Sequence, residues 1–328
     1  MKLNKIDRQL LYHLSSDASL SLTHLAKLMK TSKQAISYNL NKLVEEGVIK
    51  MFYAVIDHSR LGSMGFRIMI RLSQSSPKKQ KALTEFLVRH RNVRRILSVD
   101  DFYDMIVEVV QEDPNNLYDL LIAIDEKYGK FVSEIDVELV RSRDMLPFRM
   151  FSENPGKHEG LKIYYKKHDK VYVLDRIDKA LLKELEGNCR LDYVKMADEL
   201  KVNPKTLIYR RKRLEEEKII AGYGIVVRWN RLNKVRYRIL IEPLVYNRKK
   251  FTEMKDFIRA DRNVIGMKQV ISKYMVEFDI VANSYNEVII FLDSLKERYS
   301  DLIKNYDIVH IRDIIRKEVI SGYKEKEK

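Results

Sequence analysis

From Lys201 to Arg213 the chain carries six basic side chains and no acidic one. If this stretch is helical, Pro204, Lys205, Ile208, Tyr209 and Lys212 share an outer face, flanked by Arg210, Arg211 and Arg213. Such a face suits a phosphate backbone, with the start of the helix in the major groove. A second stretch offers the same geometry with milder chemistry. There Lys33, Gln34, Ser37, Tyr38 and Asn41 lie opposite the apolar Ile36, Leu40 and Leu43, and none of the five is acidic. Such side chains donate to phosphates and base edges. The candidate DNA contacts are therefore Ser32, Lys33, Gln34, Ser37, Tyr38, Asn41 and Lys42 in one stretch. In the other they are Asn203, Lys205, Thr206, Tyr209, Arg210, Lys212 and Arg213. Glu215, Glu216 and Glu217 follow directly and must turn away from phosphates.

Other chemistries find no support in spacing. The sequence has no phosphate-cradling glycine loop, paired-cysteine motif or metal-binding histidine pattern. Its histidines, at 13, 24, 58, 90, 158, 168 and 310, are scattered, and Cys189 stands alone. No catalytic residue, metal or cofactor is expected. A formal net charge of +15 favours polyanionic partners. The charge is uneven, at +4 for residues 1–150 and +11 for residues 151–328. No apolar run approaches the roughly 18 residues that cross a bilayer, and the start, Met1 to Asp7, has no apolar signal core. A cytoplasmic protein is expected.

The elements that must position these faces repeat. Shifting the sequence by 171 positions brings Leu3, Ile6, Asp7, Leu10 and Leu14 onto Leu174, Ile177, Asp178, Leu181 and Leu185. The same shift brings Tyr38 onto Tyr209, Tyr103 onto Tyr274 and Asp136 onto Asp307. A constant offset over this length means a tandem duplication. Within each copy, periodicity predicts three helices. Asn4 with Asp7 opens the first, Leu22–Met29 forms a short second, and Ser32 caps the third, which Gly47 ends. In the second copy Asp175 and Asn203 cap, Pro204 takes the first helical position, and Lys218 replaces the stop glycine. Three helices with a tight turn before the third make a helix-turn-helix unit.

A strand at 52–57 or 223–228 follows each unit. The pattern then reads strand 65–73, helix 78–90, strand 93–99, strand 103–111, helix 114–128 and strand 131–141. This βαββαβ order predicts an α+β, ferredoxin-like sandwich with both helices on one face. Ile106, Val107, Val109 and Val110 suggest an apolar uncovered face that packs against another copy. The expected domains are a helix-turn-helix at 1–50, a ferredoxin-like domain at 51–143, a linker at 144–173, a second helix-turn-helix at 174–221, a second ferredoxin-like domain at 222–320 and a charged tail at 321–328.

Leu3-Asn4-x-Ile6-Asp7, Leu25-Ala26-Lys27, Leu43-x-Glu45-Glu46-Gly47-Val48-Ile49 and Leu61-Gly62 resemble the Lrp/AsnC (feast/famine) family of prokaryotic transcription regulators. The resemblance covers both copies. It implies sequence-specific reading of double-stranded DNA by the third helix, and RAM-type βαββαβ domains paired sheet to sheet. It also implies an amino-acid effector near those interfaces, for which the candidates are Asp100, Asp101, Tyr103, Ser272 and Tyr274. The turn between the middle strands lacks the family's glycine in both copies, which argues against that effector. The function read here is a transcription regulator whose single chain acts as a pseudo-dimer, with homo-oligomers left open. One rival is the Lrp-like siroheme decarboxylase, in which His90, Arg91, Arg94 and Arg95 would grip an acidic porphyrin. The other is a protein-interaction scaffold that binds no DNA.

Overall fold

A computed structural model describes residues 1–73, 77–155, 160–245 and 247–316. The first module runs α1 (Lys5–Ser16), α2 (Leu22–Leu28), α3 (Lys33–Glu45), β1 (Ile49–Ile56), β2 (Met64–Leu72), α4 (Pro77–Arg89), β3 (Val93–Asp100), β4 (Met105–Gln111), α5 (Pro114–Tyr128) and β5 (Val132–Met145). A short β6 (Leu161–Tyr164) follows. The second module runs α6 (Arg176–Gly187), α7 (Tyr193–Leu200), α8 (Pro204–Glu216), β7 (Ile220–Val227), β8 (Val235–Pro243), α9 (Arg248–Ala260), β9 (Val264–Ile271), β10 (Val276–Ala282), α10 (Tyr285–Tyr299) and β11 (Ile303–Arg316). Apart from one extra residue at the end of α7, every element of the second module sits 171 positions after its counterpart.

The 144–173 stretch is not a free spacer. β5 extends to Met145, and β6 pairs antiparallel with its end, from Ser142 opposite Tyr164 to Met145 opposite Leu161. The expected charged tail at 321–328 lies outside the described residues.

Local chemistry explains the helix ends. The Asn4 side chain accepts from the Asp7 backbone N–H at 2.8 Å, and the Asp7 carboxylate accepts from the Asn4 N–H at 3.0 Å, a reciprocal cap. Gly47 ends α3 with φ +68°, a left-handed backbone that glycine adopts without steric cost. Lys218 holds the same conformation at φ +59° with a Cβ present. Lys218→Gly is therefore expected to stabilise the fold by about 1 kcal/mol. The change would appear as a higher denaturation midpoint at unchanged slope. An unchanged or lower midpoint would mean that the lysine side chain compensates for its backbone.

The two βαββαβ units join edge to edge. β5 of the first pairs with β9 of the second, and β11 of the second pairs with β3 of the first. With β2 also bonded to β5, the order β2-β4-β3-β11-β8-β10-β9-β5 returns to β2, a closed barrel of eight strands. Closure pairs the edge strands of the two βαββαβ units with each other, so these edges are not left as unpaired ladders. Helices α4 and α5 pack on the outside of one half and α9 and α10 on the other.

This geometry corrects the expectation of sheet-to-sheet pairing over an apolar face. Val107 and Val109 belong to the core under α4 and α5, not to the uncovered face. The inward face is mixed. Near one end Tyr103 and Tyr274 are almost fully buried among Met69, Leu97, Ile106, Leu240 and Val309, and donate to Asp136 and Asp307. Towards the other end lie charges. Arg67 grips Glu138 and Glu277, Arg238 donates to Asp279 at 2.8 Å, and Arg236 reaches the same carboxylate at 2.6 Å. Arg95 and Lys268 share Glu108, at 2.9 and 2.6 Å. Burial opposes ionisation of Glu108, but Arg95, Lys268 and Arg143 outweigh it and hold its carboxyl well below the usual range.

Above this charged end sits a two-stranded ribbon, β1 with β7. Tyr53 faces Gly224, its own counterpart 171 positions on, so the pseudo-twofold axis passes through that pair. The helix-turn-helix units cross over it. α1 packs on β7 and α6 on β1. The Ala18 N–H donates to Tyr223 O, and the equivalent Cys189 N–H donates to Phe52 O at 3.1 Å. Each reading head therefore completes its core on a strand of the other module.

Candidate nucleic-acid interface

Helices α3 and α8 each present one face to their trihelical core and one to solvent. Inward are Ile36, Leu40 and Leu43 in α3 and Leu207 and Leu214 in α8. Outward, Tyr38 is 70% exposed and Tyr209 64%, far more than a core aromatic would be. Lys33, Gln34 and Asn41 are exposed beside Tyr38, with Ser37 half-buried between them. Lys205, Ile208 and Lys212 are exposed beside Tyr209, with Thr206 half-buried.

The remaining candidates have work inside the fold. Ser32 and Asn203 cap their helices, accepting from Ala35 N and Lys205 N. Asp7 and Asp178 are buried at the start of the first helix of each unit, and each receives cations from the third helix. Lys42 reaches Asp7 at 3.2 Å. Its counterpart Arg213 reaches Asp178 at 2.9 Å, and Arg210 reaches Asp178 at 3.1 Å and also pairs with Asp175. Arg211 is tied to Glu215 and to the hydroxyls of Tyr193 and Tyr223. Burying a carboxylate demands such partners, so part of the basic run serves the trihelical core. The outer cations on the two faces are Lys33 in α3 and Lys205 and Lys212 in α8, of which Lys212 also makes an exposed ion pair with Glu216 at 3.7 Å.

The effector candidates do not form one site. Tyr103, Tyr274 and Ser272 point into the barrel, where the Ser272 hydroxyl donates to Glu138 at 2.8 Å. Burial, followed by the hydrogen bond to Asp136, pushes the Tyr103 phenol up. The Tyr274 phenol is raised in the same way, with Asp307 as its partner. Asp100 and Asp101 lie at the β3–β11 seam instead, where Asp100 meets His310 and Arg312 at 3.2 and 3.1 Å. Asp101 takes φ +91°, so the turn bends without the missing glycine. The proposed porphyrin grip is also divided. Arg95 joins Glu108 inside the barrel, Arg94 meets Glu186 at 3.4 Å, and Arg91 is exposed.

Sequence reasoning missed the interior charges. A signal was present, because Arg67 and Arg238 stand 171 residues apart, as do Glu108 and Asp279, each flanked by apolar residues in its strand. No helix among the described residues is long and apolar enough to cross a membrane.

A winged helix-turn-helix DNA-binding family matches residues 3–50, and the AsnC-type helix-turn-helix domain matches residues 174–215. An uncharacterised HTH-type transcriptional regulator of Pyrococcus abyssi is 30% identical over 149 residues, covering 45% of this chain and 98% of its own length. The transcriptional regulator AzlB of Bacillus subtilis is 24% identical over 143 residues, 43% of this chain and 90% of AzlB. Those relatives are thus one module long. Along nearly its whole length the fold resembles the crystal structure of the siroheme decarboxylase NirDL, at TM-score 0.61 and 14% identity, covering 98% of this chain and 95% of that one. With an AsnC-type reading head and a single-module regulator matched over almost all its length, this chain belongs to the Lrp/AsnC family of transcription regulators, carrying two of the family's modules in tandem.

Proposed function

We propose that this protein is a sequence-specific DNA-binding transcription regulator in which one chain supplies both reading heads of a pseudo-dimer. The observation that carries the reading is the pair of exposed outer faces, around Tyr38 on α3 and Tyr209 on α8, related by the pseudo-twofold axis at Tyr53 and Gly224. Apart from Ile208 the named side chains there are polar or cationic, and the carboxylate at the start of each unit's first helix, Asp7 or Asp178, is turned inward and paired. Linking two heads in one chain raises the effective concentration of the second once the first has bound.

The likeness to a decarboxylase is one of fold, and we read the chain as a regulator rather than an enzyme. Two cavities lie beneath the ribbon, of about 80 and 90 Å³; a wider hollow of about 780 Å³, beside α10 and β11, is lined by none of His90, Arg91, Arg94 and Arg95, the residues that would grip a porphyrin.

The test is phasing. Bound sites selected from a DNA library should contain two half-sites about one helical turn, or a multiple of it, apart. Inserting roughly five base pairs between them turns one half-site to the opposite side of the duplex and should abolish tight binding, and roughly ten should restore it. Binding indifferent to spacing would mean that the two heads do not read together.

A further inference from the structure

The two cavities beneath the ribbon are the place where the fold buries charge without balancing it. Both are lined by Tyr53, Arg95, Arg143 and Lys268; Arg236 and Arg238 extend the first, and Arg67 extends the second. Six cations thus converge there. The carboxylates set against them are four: Glu108, Glu138, Glu277 and Asp279. At the rims Arg94 pairs with Glu186, and Asp144 pairs with Arg259 at 2.6 Å, so these leave the balance unchanged. With every one of these groups ionised, the interior carries two positive charges in excess.

Individual donors point the same way. Arg67 Nε, Arg236 Nε and Arg238 Nη1 are buried and have no hydrogen-bond partner, against one buried unpartnered carboxylate oxygen, Asp144 Oδ1, at the rim of the first cavity. Arg143, half-buried and lining both cavities, makes neither a hydrogen bond nor an ion pair among the described residues. Buried polar groups are ordinarily paired, and an uncompensated buried charge is costly. Water could satisfy the geometry of these donors but cannot cancel their charge. Burial, reinforced by Arg238, Arg67 and Arg95, also pulls the Lys268 ammonium well below the usual lysine range despite Glu108. An anion would oppose that pull.

We propose that this space is a binding site for a small dianion, whose oxygens are taken by Arg143 and by the orphaned donors of Arg236 and Arg238. The volume admits an ion the size of inorganic phosphate or a short dicarboxylate. Because the ribbon roofs the site and both reading heads rest on the ribbon, occupancy tightens the contact between heads and barrel. The site does not depend on the DNA-binding reading, and its test uses no DNA.

The test is calorimetric titration of the full chain with inorganic phosphate and, separately, with malonate, at constant ionic strength in chloride. Either dianion should bind saturably at one per chain and raise the thermal midpoint, as any ligand selective for the folded state does. Phosphate alone would assign a tetrahedral oxyanion, and malonate alone a dicarboxylate. Arg143→Met should weaken binding on the order of tenfold or more in a protein that still unfolds cooperatively, because Arg143 has no hydrogen bond or ion pair to break. Arg248→Ala, an exposed cation on α9, should bind like the parent. Three results would overturn the site: no saturable binding of either ion, equal loss in both variants, or full binding by Arg143→Met.

Discussion

Replacing Arg67 by methionine should cost the protein about 3–5 kcal/mol of stability, the penalty for leaving buried charges without their partner. Arg67 is fully buried in β2 and holds Glu138 of β5 and Glu277 of β10. Those two carboxylates are themselves buried, and without the guanidinium they would face each other in a poorly solvated interior. Glu277 would keep a long contact to Arg238 at 3.9 Å, and Glu138 the Ser272 hydroxyl, neither a substitute. The effect should be larger than the packing change implies, because methionine fills much of the same space. Adding Glu138→Gln and Glu277→Gln to Arg67→Met should return a good part of the lost stability, since the buried charge is removed along with its partner. Urea denaturation of the single and triple variants measures both steps. A single-variant loss below about 1 kcal/mol, the range of exposed pairs, would mean that water screens the barrel interior.

The second large effect concerns DNA. Lys205→Ala with Lys212→Ala should weaken specific binding by roughly tenfold or more at moderate salt. It should also flatten the log affinity versus log salt slope by about 0.9 for each phosphate that is no longer neutralised. Lys33→Ala should do less, because it is one outer cation against two. Arg210→Ala with Arg213→Ala should behave differently. Both arginines serve the buried Asp178, so their loss should lower the folding midpoint of the second head, and DNA binding would fall through unfolding. Gel shifts over a salt series, paired with melting curves, separate the two cases. If the lysine pair lost stability and the arginine pair lost only affinity, the assignment of outer and inner faces would be reversed.

The asymmetry between the heads is thereby smaller than the raw charge count suggests. Six basic residues from Lys201 to Arg213 read as a strong phosphate stripe in sequence. In the folded unit Arg210, Arg211 and Arg213 turn back onto Asp178, Glu215 and two tyrosine hydroxyls. A helical wheel gives the direction of a side chain's root, but a long arginine can fold back to a partner that the wheel does not contain.

What the sequence by itself determined was everything local and everything repeated. Apolar spacing and caps placed α1 to α3 within a residue or two, and the βαββαβ order followed from alternation and from Pro114 at the start of α5. The constant shift of 171 positions required the second module to repeat the first, and it does so element by element. What only the tertiary structure decided was how the two modules join. Strand pairing between β3 and β11 and between β5 and β9 depends on edges far apart in sequence, and no local pattern specifies which edge meets which. That closure turned the uncovered faces into the inside of one barrel. It also placed Arg67, Glu138 and Glu277, which alternation alone puts on the uncovered face, in one buried ionic network.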